Sequence, residues 1–122
     1  MAGVRVGVVV IAVAAACNSS LDAQTESARS QVLALDSSDA ARVVAFCKSW
    51  RGSLHDFPLA VKPTSASATG GVITFAWWNN SHAEEDDPHP GFELICSEPA
   101  IAGGKSIAAG LWYRDAPMNR AD

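Results

Sequence analysis

Cys47 and Cys96 each sit on the apolar stripe of a different kind of element, and this restricts the fold more than any other feature of the chain. Ala40, Val43, Val44 and Cys47 recur at i, i+3, i+4 and i+7, with Trp50 and Leu54 continuing the stripe. That spacing marks one face of an α-helix. Ser37, Ser38 and Asp39 offer N-caps for a helix running to about Arg51. Lys48 and Arg51 then fall in its last turn, where cations suit the helix dipole, and Gly52 ends it. Around Cys96 the alternation changes to period two, with Phe92, Leu94 and Cys96 on one side of a strand and Glu93 on the other. One cysteine therefore faces the core from a helix and the other from a strand.

The remaining apolar segments read as strands. Residues 72–78 are the strongest, being rich in β-branched and aromatic side chains. Residues 57–62 form a short apolar run, and residues 63–71 a turn-rich connection. Residues 106–114 alternate as one last strand, with Gly103-Gly104 helping to turn the chain back before it. Residues 32–35 suit a short first strand or the lead into the helix equally well. The expected architecture is α+β: one amphipathic helix packed on a small antiparallel sheet of about four strands.

The first residues look like an address. A single Arg5 precedes an apolar run over residues 6–16 that ends in small side chains, the pattern of a secretory signal cleaved after Ala16. At about 1.5 Å per residue the run reaches roughly half of a ~30 Å hydrocarbon core, too short to span it. Ala14-Ala15-Ala16-Cys17 resembles a bacterial lipobox, with Ala14 where leucine is usual. The resemblance implies that Cys17 becomes the lipid-bearing first residue of the mature chain. Asn18 after it is similar to signals that let Gram-negative lipoproteins reach the outer membrane. Residues 17–31 are polar and poor in bulky apolar side chains, which suits a flexible tether. The expected layout is a signal peptide over 1–16, a tether over 17–31 and one α+β domain over 32–122.

If Cys17 carries lipid, export leaves Cys47 and Cys96 as a pair in an oxidising compartment. A bridge closing a loop of about fifty residues stabilises by roughly 4 kcal/mol in the chain-entropy model. The alternatives are two separate buried thiols, or a bridge that uses an unlipidated Cys17.

Charge narrows the partners. The net charge of −4 argues against nucleic acid, which needs a basic face. Four of the acidic residues are consecutive, Glu84, Glu85, Asp86 and Asp87, bracketed by His82 and His89 in a loop between two strands. Imidazole with carboxylate suits zinc, copper or nickel, and carboxylate alone suits calcium. The spacing matches neither a His-Glu-x-x-His helix nor a calcium loop, and a solvated acidic loop has the same composition. Trp77-Trp78 is the other candidate. Adjacent strand residues point to opposite faces, so one tryptophan leaves the face the other occupies. With Asn79 and Asn80 beside them they form a candidate platform for a sugar ring, peptide or lipid. Trp112 would extend it if the two strands are neighbours.

Catalytic matches fail. Gly104-Lys105-Ser106 has Pro99 where a phosphate-binding loop needs its first glycine. His55-Asp56 comes without a nucleophile elbow, and there is no Cys-x-x-Cys. The expectation is a small exported envelope lipoprotein, non-enzymatic, that binds a protein or cell-wall partner without a cofactor. The alternative is a metal-binding or metal-sensing module built on the acidic loop, with a divalent cation.

Overall fold

The computed structural model describes residues 20–78 and 91–116. Two helices, α1 (Ser20–Leu33) and α2 (Ser37–Lys48), precede five strands. These are β1 (Ser65–Thr69), β2 (Val72–Trp78), β3 (Gly91–Cys96), β4 (Lys105–Ala108) and β5 (Leu111–Asp115). Every pairing is antiparallel, in the order β1-β2-β3-β5-β4. The described residues are therefore α+β with a small antiparallel sheet, and among them are two helices rather than one and five strands rather than about four.

The extra helix lies where composition suggested a tether. Thr25, Ala28 and Val32 fall at i, i+3 and i+7 and are all buried, Val32 completely. The stripe is narrow and mostly small, so a chain that is polar on average still offers one packing face. α1 ends with Ala34 N–H donating to the Ser30 carbonyl, and Asp36 follows directly as the N-cap of α2. Its carboxylate accepts from Asp39 N–H at 2.7 Å, so the cap stands one residue before Ser37, Ser38 and Asp39. Ala40, Val43 and Cys47 form the buried stripe of α2. The helix stops at Lys48, short of Arg51: Ser49 leaves the helical conformation at φ −107° and ψ 26°, and Trp50 N–H turns back to the Cys47 carbonyl three residues away. Trp50 and Leu54 lie beyond its end but still pack against the core.

Three segments differ from their sequence pattern. Residues 57–62 bury Phe57 and Leu59 but join no ladder among the described residues; Pro58 and Pro63 each lack a backbone donor. Residues 65–69, expected in a connection, are an edge strand of small polar side chains. Gly70 and Gly71 adopt φ of +58° and +83°, which builds the tight two-residue hairpin joining Thr69 to Val72. Residues 106–114 are a hairpin rather than one strand, because Ala109-Gly110 reverses the chain between β4 and β5.

One face of the sheet carries Ile73, Phe75 and Trp77 of β2, Phe92, Leu94 and Cys96 of β3, and Leu111 and Tyr113 of β5. The stripes of α1 and α2 close over it. Phe57 fills the gap beside them, its ring 5.0 Å from Phe75 and 6.0 Å from Trp77. On the opposite face Ile95 is buried beside Trp112, whose Nε1–H donates to the Ser97 carbonyl at 2.9 Å. Next to them Arg114 directs both Nε and one terminal nitrogen to Glu93 Oε1, at 2.9 and 2.7 Å.

The Cys47–Cys96 disulfide joins the end of α2 to the end of β3 across a sequence separation of 49 residues, with the Cα atoms 6.5 Å apart. The bridge expected from the two apolar stripes is present. Its removal tests how much of the stability it carries. A loop of this length is worth about 4 kcal/mol, and each kcal/mol moves Tm by about 4–8 °C in a domain of this size. Reduction is therefore expected to lower Tm, followed by circular dichroism, by more than about 10 °C; an unchanged Tm would show that the core needs no cross-link.

The docking of α1 is tested by a neighbouring pair. Val32→Ala, at a fully buried position, is expected to cost about 2 kcal/mol in urea unfolding. Leu33→Ala, at a position 41% exposed, is expected to stay within about 0.5 kcal/mol of the parent. Equal effects of the two would mean that α1 does not pack as described.

Candidate functional site

The end of β2 is where the packed and open parts of the molecule meet. β1 stops pairing at Ser65, opposite Ala76. One residue earlier Thr64 still holds β2: its N–H donates to the Ala76 carbonyl at 2.7 Å, and its hydroxyl accepts from Trp78 N–H at 3.2 Å. Before Thr64 the chain leaves the sheet, and α1 passes on the far side. A cleft of about 580 Å³ opens between them. One wall is α1, through Gln24, Ser27, Ala28 and Gln31; the other is Ala60, Val61, Lys62 and Thr64. Trp77 and Trp78 line it at the end of the strand.

The two tryptophans divide as alternation requires. Trp77 lies on the helix-covered face and is 4% exposed. Its ring stacks on Phe92 with centroids 4.9 Å apart and planes within 5°. The indole Nε1–H is buried and has no acceptor among the described residues. Buried polar groups are nearly always paired, and an indole N–H can only donate. Trp78 lies on the other face and is half-buried.

Among the described residues the lining is close to neutral. Lys62 carries the one charged side chain among the described lining residues, and its Nζ donates to the Phe57 carbonyl at 3.3 Å. Gln31 donates from its amide to Ser27 Oγ at 3.1 Å, one turn back on the same helix. What the walls present is amide and hydroxyl chemistry beside aromatic rings.

Arg29 fixes the helical wall in place. From α1 its Nε donates to the Tyr113 hydroxyl at 2.9 Å, and a terminal nitrogen donates to the Gly91 carbonyl at 3.2 Å. The guanidinium carbon lies 5.4 Å from the centre of the Phe92 ring, within cation–π range. Glu26 pairs with it on the outer side. Position 91 tolerates this crowding only as glycine, because a Cβ there would lie 2.9 Å from both the Trp77 and Ala116 carbonyl oxygens. The Tyr113 hydroxyl in turn donates to Asp115 Oδ1 at 2.7 Å. Burial, and then the hydrogen bond to Asp115, push the Tyr113 phenol up to about 12.

Of the residues singled out by sequence, Trp77 and Trp78 meet in the cleft. Trp112 does not extend them, because β3 lies between β2 and β5. Asn79, Asn80, Cys17 and the His82, Glu84, Glu85, Asp86, Asp87, His89 loop lie outside the described residues. Among the described residues no group of three or more His, Cys, Asp or Glu is placed to hold a metal ion. His55 and Asp56 touch at 3.1 Å, but their side chains are 89% and 90% exposed, a solvated pair. The sequence reading missed Gln24, Ser27 and Gln31, since they lie in the stretch taken for a tether. The spacing of Thr25, Ala28 and Val32 is the signal that finds them.

The Tyr113 anchor sets a pH dependence. The folded state holds the phenol protonated beyond its ordinary value near 10, so the stabilisation is complete below pH 10 and is lost as pH rises from 10 towards 12. Denaturant unfolding between pH 9 and 12 is expected to show this fall, and Tyr113→Phe to remove that share of it. Identical slopes in the two proteins would show that the phenol is not held. No protein-family model matches the sequence, and neither a curated protein nor a solved structure matches it significantly.

Proposed function

We propose that this chain is a small, non-enzymatic binding module of the cell envelope, exported, lipid-anchored at Cys17, and taking a protein or cell-wall partner in the cleft beside Trp78. The observation that carries the binding site is the open cleft at the end of β2, where the half-buried Trp78 ring meets a wall of amides and hydroxyls. The anchor and the compartment rest on the apolar run after Arg5 and on its resemblance to a lipobox at Cys17. A disulfide between the other two cysteines agrees with an oxidising compartment.

Two measurements test the two halves. Labelling of producing cells with an alkyne palmitate analogue is expected to mark the protein, and Cys17→Ser to move it from the membrane to the soluble fraction. An unlabelled protein whose fractionation ignores the substitution would remove the anchor. For the site, exported Cys17→Ser protein is incubated with isolated envelopes of the producing organism. Trp78→Ala is expected to reduce retention at least about tenfold, the equivalent of about 1.4 kcal/mol. Retention unaffected by the substitution, or none at all, would remove the cleft as the binding site.

A further inference from the structure

We propose that two copies of this chain form a two-fold dimer through the edge of β1, their Ser65–Thr69 strands pairing antiparallel about Ser67. The dimer involves a different surface from the cleft and goes beyond the binding-module reading. The sheet formed by the described residues ends in two unlike edges, β1 on one side and β4 on the other. β4 is four residues long, opens with the exposed Lys105 and shifts register between Ser106 and Ala108. A short strand, a lysine and an irregular ladder are the usual means of keeping an edge from pairing with another chain. β1 carries no charge and no proline, and its five residues pair with β2 without a shift. Ser65, Ser67, Ala68 and Thr69 are exposed.

The phase of the β1–β2 ladder decides which backbone groups face outward. The Ala76 carbonyl accepts from Thr64 N–H, and Trp78 N–H donates to the Thr64 hydroxyl. Residues 72, 74 and 76 therefore turn their backbone groups towards β1, and their partners Thr69, Ser67 and Ser65 turn theirs back towards β2. Alternation leaves the N–H and C=O of Ala66 and Ala68 pointing away from the sheet.

One register between two copies pairs all of these groups. With Ser67 on the two-fold axis, Ala66 of each copy lies opposite Ala68 of the other, and each such pair exchanges both of its N–H···O bonds. An axis at Ala66 or Ala68 instead sets one alanine of each copy opposite a residue outside β1. Ser67 then faces its own counterpart as a non-hydrogen-bonded pair, with Cα atoms about 4.5 Å apart. Two serines at that distance hydrogen-bond through their hydroxyls.

Charge selects a second copy as the occupant. A two-fold contact sets a patch against itself, so any charge on it is opposed by its own sign. No charged side chain occurs from Pro63 to Ile73, so this edge meets itself without repulsion and offers a charged partner strand nothing to pair with. Two five-residue strands bury less than the ~1,000 Å² of a stable interface, so the dimer is transient, with Kd on the order of 0.1 mM.

The experiment uses the full chain carrying Cys17→Ser. Sedimentation at up to about 0.5 mM is expected to show monomer and dimer in exchange. Ser67→Lys, at an exposed position, is expected to weaken the dimer at least about tenfold without changing the Tm of the monomer. Ser106→Lys, the same change on the β4 edge, is expected to leave it as it is. Mild oxidation reads the register. Ser67→Cys is expected to cross-link to itself, whereas Ser65→Cys and Thr69→Cys cross-link to each other when mixed and neither does so alone. Peptide mapping separates these links from exchange with the Cys47–Cys96 bond.

A chain that stays monomeric at the highest concentration, or a dimer indifferent to Ser67→Lys, overturns the inference. Self-linking of Ser65→Cys or Thr69→Cys in preference to the mixed link marks another register and overturns it too. A monomer whose retention on envelopes falls with Ser67→Lys assigns the edge to a different protein, and the dimer fails.

Discussion

The cross-link between Cys47 and Cys96 fixes the relation on which the other contacts depend. β3 is the middle strand of five, with β2 on one side and β5 on the other. Attaching the end of α2 to the end of β3 sets the height of that helix over the sheet and leaves one side of the same face open. α1 fills that side through Ala28 and Val32, and Arg29 holds it to β3 and β5 at the far end. The cleft is the space left where α1 and the segment before β1 fail to meet over the end of β2. The site is thus a consequence of two helices sharing one small sheet.

Much of this was readable where side chains are large and periodic. The helical stripe ending at Cys47 and the alternation ending at Cys96 depend on Val43, Phe92 and Leu94, which are bulky and correctly spaced, so the bridge between them could be anticipated. The same rule assigned Trp77 and Trp78 to opposite faces. α1 escaped because its packing stripe holds two small residues and one valine, too little apolar surface to shift the composition of the segment. β1 escaped for a related reason. Ser-Ala-Ser-Ala-Thr has no core-facing pattern, and it becomes a strand because β2 offers it a ladder and Gly70-Gly71 bring it round.

Non-local pairing was the other limit. After β3 the chain runs to the sheet edge as β4 and returns as β5 to lie against β3. Alternation over residues 106–114 carries no sign of that reversal, nor of the register shift between Ser106 and Ala108 that sets Ala108 opposite Leu111. Trp112 therefore lies away from β2, and its indole N–H is taken by Ser97. The contrast with Trp77 separates the two readings of a tryptophan. Among the described residues one N–H is matched by the fold itself and the other is not, a distinction that only the three-dimensional arrangement supplies.

The Cys47–Cys96 loop leaves α1 outside it, upstream of the first cysteine. Tension applied to the chain from its N-terminal side is transmitted through α1 before it reaches the cross-linked core. The first attachments to bear that load are Arg29 on Tyr113 and Gly91, with Val32 in its socket; the disulfide is loaded only after they part. Because α1 is also a wall of the cleft, peeling it away opens the cavity, and an occupant held between the two walls would resist the peeling. The mechanical weak link and the candidate cleft thus share one wall, so that pulling on the chain and filling the cleft would oppose each other.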